Sequence, residues 1–119
     1  MAQKENNIIP MIFDEAFYRK MATQKWRQQD YKKAAEYYEK VLELSPEDFD
    51  IQQHYAQCLV KLNIGKKAEH LFYENIVKDF HVAESFYELS QLNIELNEPN
   101  KAFLFGINYV ILSDDKDFR

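Results

Sequence analysis

Apolar residues recur three and four positions apart along most of this chain, in segments of about fourteen residues separated by short polar breaks. The clearest period is Ala34, Tyr37, Tyr38, Val41, Leu42 and Leu44, which share one helical face. A weaker one runs through Phe17, Met21, Gln24 and Trp26. The breaks are Asp30-Tyr31, Asn63-Ile64-Gly65 and Asn97-Glu98-Pro99-Asn100, each rich in turn-forming residues. A fourth, Ser45-Pro46-Glu47-Asp48, puts Pro and acidic residues where a helix N-terminus favours them. The pattern predicts six helices in antiparallel pairs, over 14–28, 32–44, 48–62, 66–78, 82–96 and 100–112, with Asp14 as the first N-cap.

The pattern also repeats at long range. Residues 15–48, laid beneath themselves at a step of 34, fit 49–82 and 83–116 without a gap. Ala22, Ala56 and Ser90 share one column, and Ala34, Ala68 and Ala102 another. Met21, Tyr55 and Leu89 form a third, and Leu42, Ile76 and Val110 a fourth. Small residues let two antiparallel helices approach closely, while Tyr38 and Phe72 fill the space between neighbouring pairs. A fixed period of this length marks a stacked helical repeat. The chain therefore divides into a lead-in over 1–14 and repeats over 15–48, 49–82 and 83–116.

These columns resemble the tetratricopeptide repeat, whose signature runs aromatic, Leu, Gly/Ala, Tyr, Ala, aromatic, Pro. Tyr18, Met21, Ala22, Ala34, Tyr38 and Pro46 fall on those places in the first repeat, with Lys25 in place of the Tyr. The second repeat keeps Tyr55, Ala56, Ala68 and Phe72, with Phe80 in place of Pro; the third keeps Phe86, Leu89, Ser90 and Ala102. The resemblance implies an all-α, right-handed superhelical solenoid of three helix pairs. It further implies a concave groove lined by the first helix of each pair and contacted by a protein or peptide partner. Carried over place by place, the groove residues are Arg19, Thr23, Trp26 and Arg27, then Gln53, Gln57 and Lys61, then Tyr87, Gln91 and Glu95. Trp26, the single Trp, is either an aromatic anchor for that partner or a packing residue near Val60.

Three further positions depart from the family. Asn75 and Tyr109 replace a small apolar residue, and Gly106 replaces an aromatic. Asn75, if buried, has to be hydrogen-bonded. Tyr109, one turn after Gly106, is expected to fold back over it, the two having exchanged size.

Charge adds a direction. The net charge is −5, and the third repeat alone holds two Lys/Arg against six Asp/Glu. The groove is basic at the first repeat, mixed at the second and acidic at the third. That suits a segment with an acidic and a basic end, and it equally suits a plain solvated face. The acidic balance disfavours nucleic acid. Glu84 and Glu88 stand where a tetratricopeptide clamp for chaperone tails would need cations, so that ligand is excluded. His54, His70 and His81 make no metal-ligand spacing, Gly65 and Gly106 make no phosphate loop, and Cys58 has no base beside it. The reading is a non-enzymatic interaction module without cofactor or metal. No run approaches the roughly 18 apolar residues of a membrane span, and a cytoplasmic setting follows.

The last predicted helix is apolar almost all round, and Phe103, Phe105, Tyr109 and Leu112 are candidates for self-association. Either the chain is the N-terminal part of a longer array, or another subunit covers this helix. The alternatives to groove binding are thus a self-associating scaffold unit or homo-oligomer, and a regulatory domain of a longer protein.

Overall fold

The computed structural model describes residues 14–117. Six helices follow one another: α1 Glu15–Arg27, α2 Tyr31–Leu44, α3 Phe49–Lys61, α4 Gly65–Val77, α5 Val82–Glu95 and α6 Pro99–Asp117. The predicted ends hold to within one residue except at α6, which continues to Asp117 instead of stopping at 112. Apart from Asp14, the lead-in over 1–14 lies outside the described residues. Among the described residues no helix is long and apolar enough to cross a membrane.

Local chemistry starts and stops these helices. Asp14, Asp30 and Asp48 each accept a hydrogen bond from a backbone N–H three residues on, at 3.0, 3.2 and 3.1 Å, capping α1, α2 and α3. Inside each pair the turn takes one left-handed residue, Gln29, Asn63 and Asn97, at φ of 60, 63 and 60°. The following N–H reaches back to the carbonyl five residues earlier, Asp30 to Lys25, Ile64 to Leu59 and Glu98 to Asn93. This is the Schellman closure, repeated at the same 34-residue step as the side-chain columns. Asn tolerates the left-handed region better than most residues; Gln29 occupies it without that advantage.

The small-residue columns sit at the helix crossings, with Ala22, Ala34, Ala56 and Ala68 wholly buried. In the third repeat the Ser90 hydroxyl donates to the Ala102 carbonyl at 3.0 Å, so the polar member of that column is satisfied within its own pair. Tyr38 and Phe72 are buried between successive pairs, as their column predicts. The pairs stack into an elongated body of 59 × 33 × 24 Å.

α3 lies between α2 on one side and α4 and α5 on the other, so seven of its thirteen residues are buried, Gln52 and Gln53 among them. Asn75 is wholly buried and fully engaged. Its amide nitrogen donates to the Phe49 carbonyl at 3.1 Å and to Gln53 Oε1 at 2.8 Å, and its oxygen accepts from Gln52 Nε2 at 2.9 Å. The Ser85 hydroxyl on α5 donates to the same Gln53 oxygen at 3.0 Å.

One expectation needs correcting. Tyr109 does not fold over Gly106: its ring packs on Tyr87 of α5, with centroids 5.2 Å apart. The close neighbour of Gly106 is instead Ser90, whose hydroxyl would stand 3.3 Å from an added Cβ. Gly106 thus belongs to the α5–α6 approach, not to an exchange with Tyr109.

Candidate functional site

The first helices α1, α3 and α5 stand side by side and are tied across repeats by polar contacts. Arg19 on α1 pairs with Glu15 of its own helix at 2.7 Å and with Asp48, the cap of α3. The Ser45 hydroxyl, and then the guanidinium, hold the Glu15 carboxyl below the usual range. Burial acts most strongly on Asp48 and raises it, but the guanidinium and the backbone N–H groups of Ile51 and Asp50 together outweigh burial and lower the carboxyl. Further along, Gln57 on α3 donates to Glu88 on α5 at 3.1 Å. Burial raises the Glu88 carboxyl, with Gln57 and Lys61 opposing in part. At the start of α5, His81 Nε2 lies 2.5 Å from Asp50 on α3 and Nδ1 lies 3.1 Å from Glu84.

The predicted groove residues separate into three kinds on this face. Thr23, Arg27, Lys61, Tyr87, Gln91 and Glu95 are exposed. Arg19, Trp26 and Gln57 are half-buried and already partnered. Gln53 is a correction: it is 3% exposed, with its amide inside the Asn75–Ser85 network, so it cannot meet a partner. The middle place of each helix carries Thr23, Gln57 and Gln91, hydrogen-bonding side chains in register. The C-terminal turn of each carries Arg27, Lys61 and Glu95, a row of two cations and one anion. Alongside α1 runs an open depression of about 670 Å³ lined by Arg19, Lys20, Thr23, Gln24, Arg27 and Gln28.

Trp26 sets its ring edge-on against Tyr31 at 5.2 Å, and the Lys61 ammonium lies 5.9 Å from the Tyr31 centroid on the other repeat. The half-buried indole is thus part of a packed row. Cys58 is wholly buried and burial pushes its thiol up to about 12, so it is a packing residue. The sequence placed Glu88 in the groove but not its bond to Gln57, and it did not point to His81 or Tyr31 as partners of this face. Only their spacing to the next repeat, 31 residues for Gln57–Glu88 and for Asp50–His81, hints at contacts across it.

The self-association candidates also divide. Phe105 packs on Tyr73 and Phe86 at 5.9 and 6.2 Å, and Tyr109 packs on the exposed Tyr87, so both rings are engaged within the chain. Leu112 is half-buried and Phe103 projects outward. The exposed side of α6 is made by Phe103, Leu104, Ile107, Val110 and Ile111.

Residues 25–72 match the model of a tetratricopeptide-repeat family. No curated protein matches the sequence significantly. Among solved structures, one titled "Crystal structure of MamA protein" superposes with a TM-score of 0.72 at 20% identity, over 82% of this chain. At that identity the likeness shows the fold, and it takes in 54% of that chain's length.

Proposed function

We propose that this tetratricopeptide-repeat chain is a non-enzymatic interaction module that binds an extended or helical segment of a protein partner along the face of α1, α3 and α5. Tetratricopeptide repeats generally mediate contacts between proteins, and the finer reading rests on one observation. The exposed row Arg27, Lys61 and Glu95 repeats a charged position at the end of three parallel helices, beside the polar row Thr23, Gln57 and Gln91. An acidic stretch of the partner pairs with Arg27 and Lys61, and a following basic residue pairs with Glu95. Exposed charges of this kind set register and encounter rate more than affinity. Affinity comes from the half-buried Trp26 and the exposed Tyr87, aromatic types enriched at binding hot spots.

The test is a double charge reversal, Arg27→Glu with Lys61→Glu. Both side chains are exposed, so the helical spectrum stays unchanged, and the melting temperature falls only modestly through the lost Lys61–Tyr31 contact and the reversed charge at two helix C-termini. Proteins captured by the parent chain should be lost by the variant. Undiminished capture by a folded variant removes this face as the binding site.

A further inference from the structure

The opposite end of the solenoid carries a second surface. Between α5 and α6 runs a trough of about 610 Å³, walled by Ser90 and Ile94 on one side and by Phe103, Gly106, Ile107 and Val110 on the other. Ile94, Phe103, Val110 and Ile111 are each more than half exposed there. Inside the molecule the equivalent faces of α2 and α4 are covered by the next helix, α3 and α5. Each such junction is filled by an aromatic of the covered helix, Tyr38 at 3% exposure and Phe72 at 0%. The same column in α6 holds Gly106. The face therefore keeps the shape that accepts a helix while lacking the ring that fills the space. An incoming helix has to supply that bulk itself.

Charge identifies the occupant. Glu98, directly before the lining residue Pro99, and Asp114, one turn after the lining residue Ile111, are exposed, in a repeat of six Asp/Glu against two Lys/Arg; Lys101, one of those two, leans to within 4.0 Å of Glu69 on α4. Two α6 faces meeting in a dimer would set these carboxylates against one another. Head-to-tail stacking of copies fares no better. In α1 the positions equivalent to Cys58, Leu59 and Leu62 of α3 are Gln24, Lys25 and Gln28, which are too polar to cover α6. From these observations we infer that the α5–α6 trough docks a cationic amphipathic helix of a partner protein. An aromatic side chain of that helix fills the space over Gly106, and flanking Lys or Arg residues meet Glu98 and Asp114. This surface is independent of the α1–α3–α5 face.

The experiment uses the full chain and two synthetic helical peptides with the same apolar stripe and a central Phe, one flanked by Lys and one by Glu. Amide chemical-shift mapping should centre on Ile94, Gly106 and Val110 with the Lys peptide. Its affinity should exceed that of the Glu peptide on the order of tenfold and fall with salt. Gly106→Phe, which refills the trough from within, should reduce affinity by a similar factor. Because that variant can also disturb folding, Glu98→Lys with Asp114→Lys on the surface provides a second reading, reversing the peptide preference. Equal binding of the two peptides, shifts centred elsewhere, or no binding of either overturns the inference. So does a dimer of the chain alone, by sedimentation equilibrium, that exchanges its own α6 face.

Discussion

The side-chain amide of Asn75 donates to that of Gln53 across 2.8 Å, joining the two helices of the second repeat. Gln53 Oε1 also accepts from Ser85 of α5, so the second and third pairs share one acceptor atom. Removing Asn75 strips one hydrogen bond from Gln52, which keeps Glu74 and the Leu71 carbonyl, and one from Gln53, which keeps Ser85. Asn75→Ala should lower unfolding free energy by about 1–3 kcal/mol, through the hydrogen bonds lost and the space left in the core. Ser85→Ala should cost about 1 kcal/mol. Urea unfolding of the variants measures both. A loss below about 0.5 kcal/mol for Asn75→Ala would mean that the network carries no stability.

Gln29 holds the left-handed turn position that Asn63 and Asn97 fill in the later repeats. Gln29→Gly, or Gln29→Asn, should therefore stabilise the chain by about 0.5–1 kcal/mol. Asn63→Ala should destabilise it by about 1 kcal/mol. Opposite signs in thermal melts are the diagnostic outcome; a Gln29→Gly variant less stable than the parent would contradict it.

His81 sits between Asp50 and Glu84 in a left-handed conformation, at φ of 51°. Its partial burial lowers the imidazole, but the two carboxylates outweigh burial and raise it above the ordinary 6.5. A raised folded value means the protonated form is favoured by folding. The stabilisation is complete below pH 6.5 and disappears as pH rises through the higher folded value. His81→Asn keeps a residue that tolerates this backbone and removes the titration. The melting-temperature gap between parent and variant should be widest near about pH 6 and close toward about pH 9. A gap that does not vary with pH would show that the two carboxylates do not act through the imidazolium.

Cys58 is buried with its thiol raised, so iodoacetamide at mildly alkaline pH should leave it unmodified in the folded chain and alkylate it fully in urea. Mass spectrometry reads the difference. Rapid labelling of the folded chain would place Cys58 near the surface.

Much of this architecture is legible in the sequence, because helix boundaries and crossings depend on local chemistry. Asp14, the turn residues around Asn63 and Asn97, and the Ala22 and Ala34 columns each act within one pair. What was not legible depends on neighbours. Gln53 and Gln57 stand one helical turn apart, yet Gln53 is buried and Gln57 is partly open. The difference arises because α4 and α5 both close over the start of α3, which no spacing within α3 reveals. Phe105 and Tyr109 looked like free apolar surface and proved to pack on Phe86 and Tyr87. The extension of α6 past Leu112 has a similar origin: apolar periodicity ends there, while backbone hydrogen bonding continues through residues of no apolar pattern.

Hydrogen exchange of the chain alone and with its captured partner tests the central claim most directly. Binding along the first helices predicts slowed exchange in residues 23–27, 57–61 and 91–95, with α2 and α4 unchanged. Protection confined to α2 and α4, with those three segments exchanging as in the free chain, would contradict it.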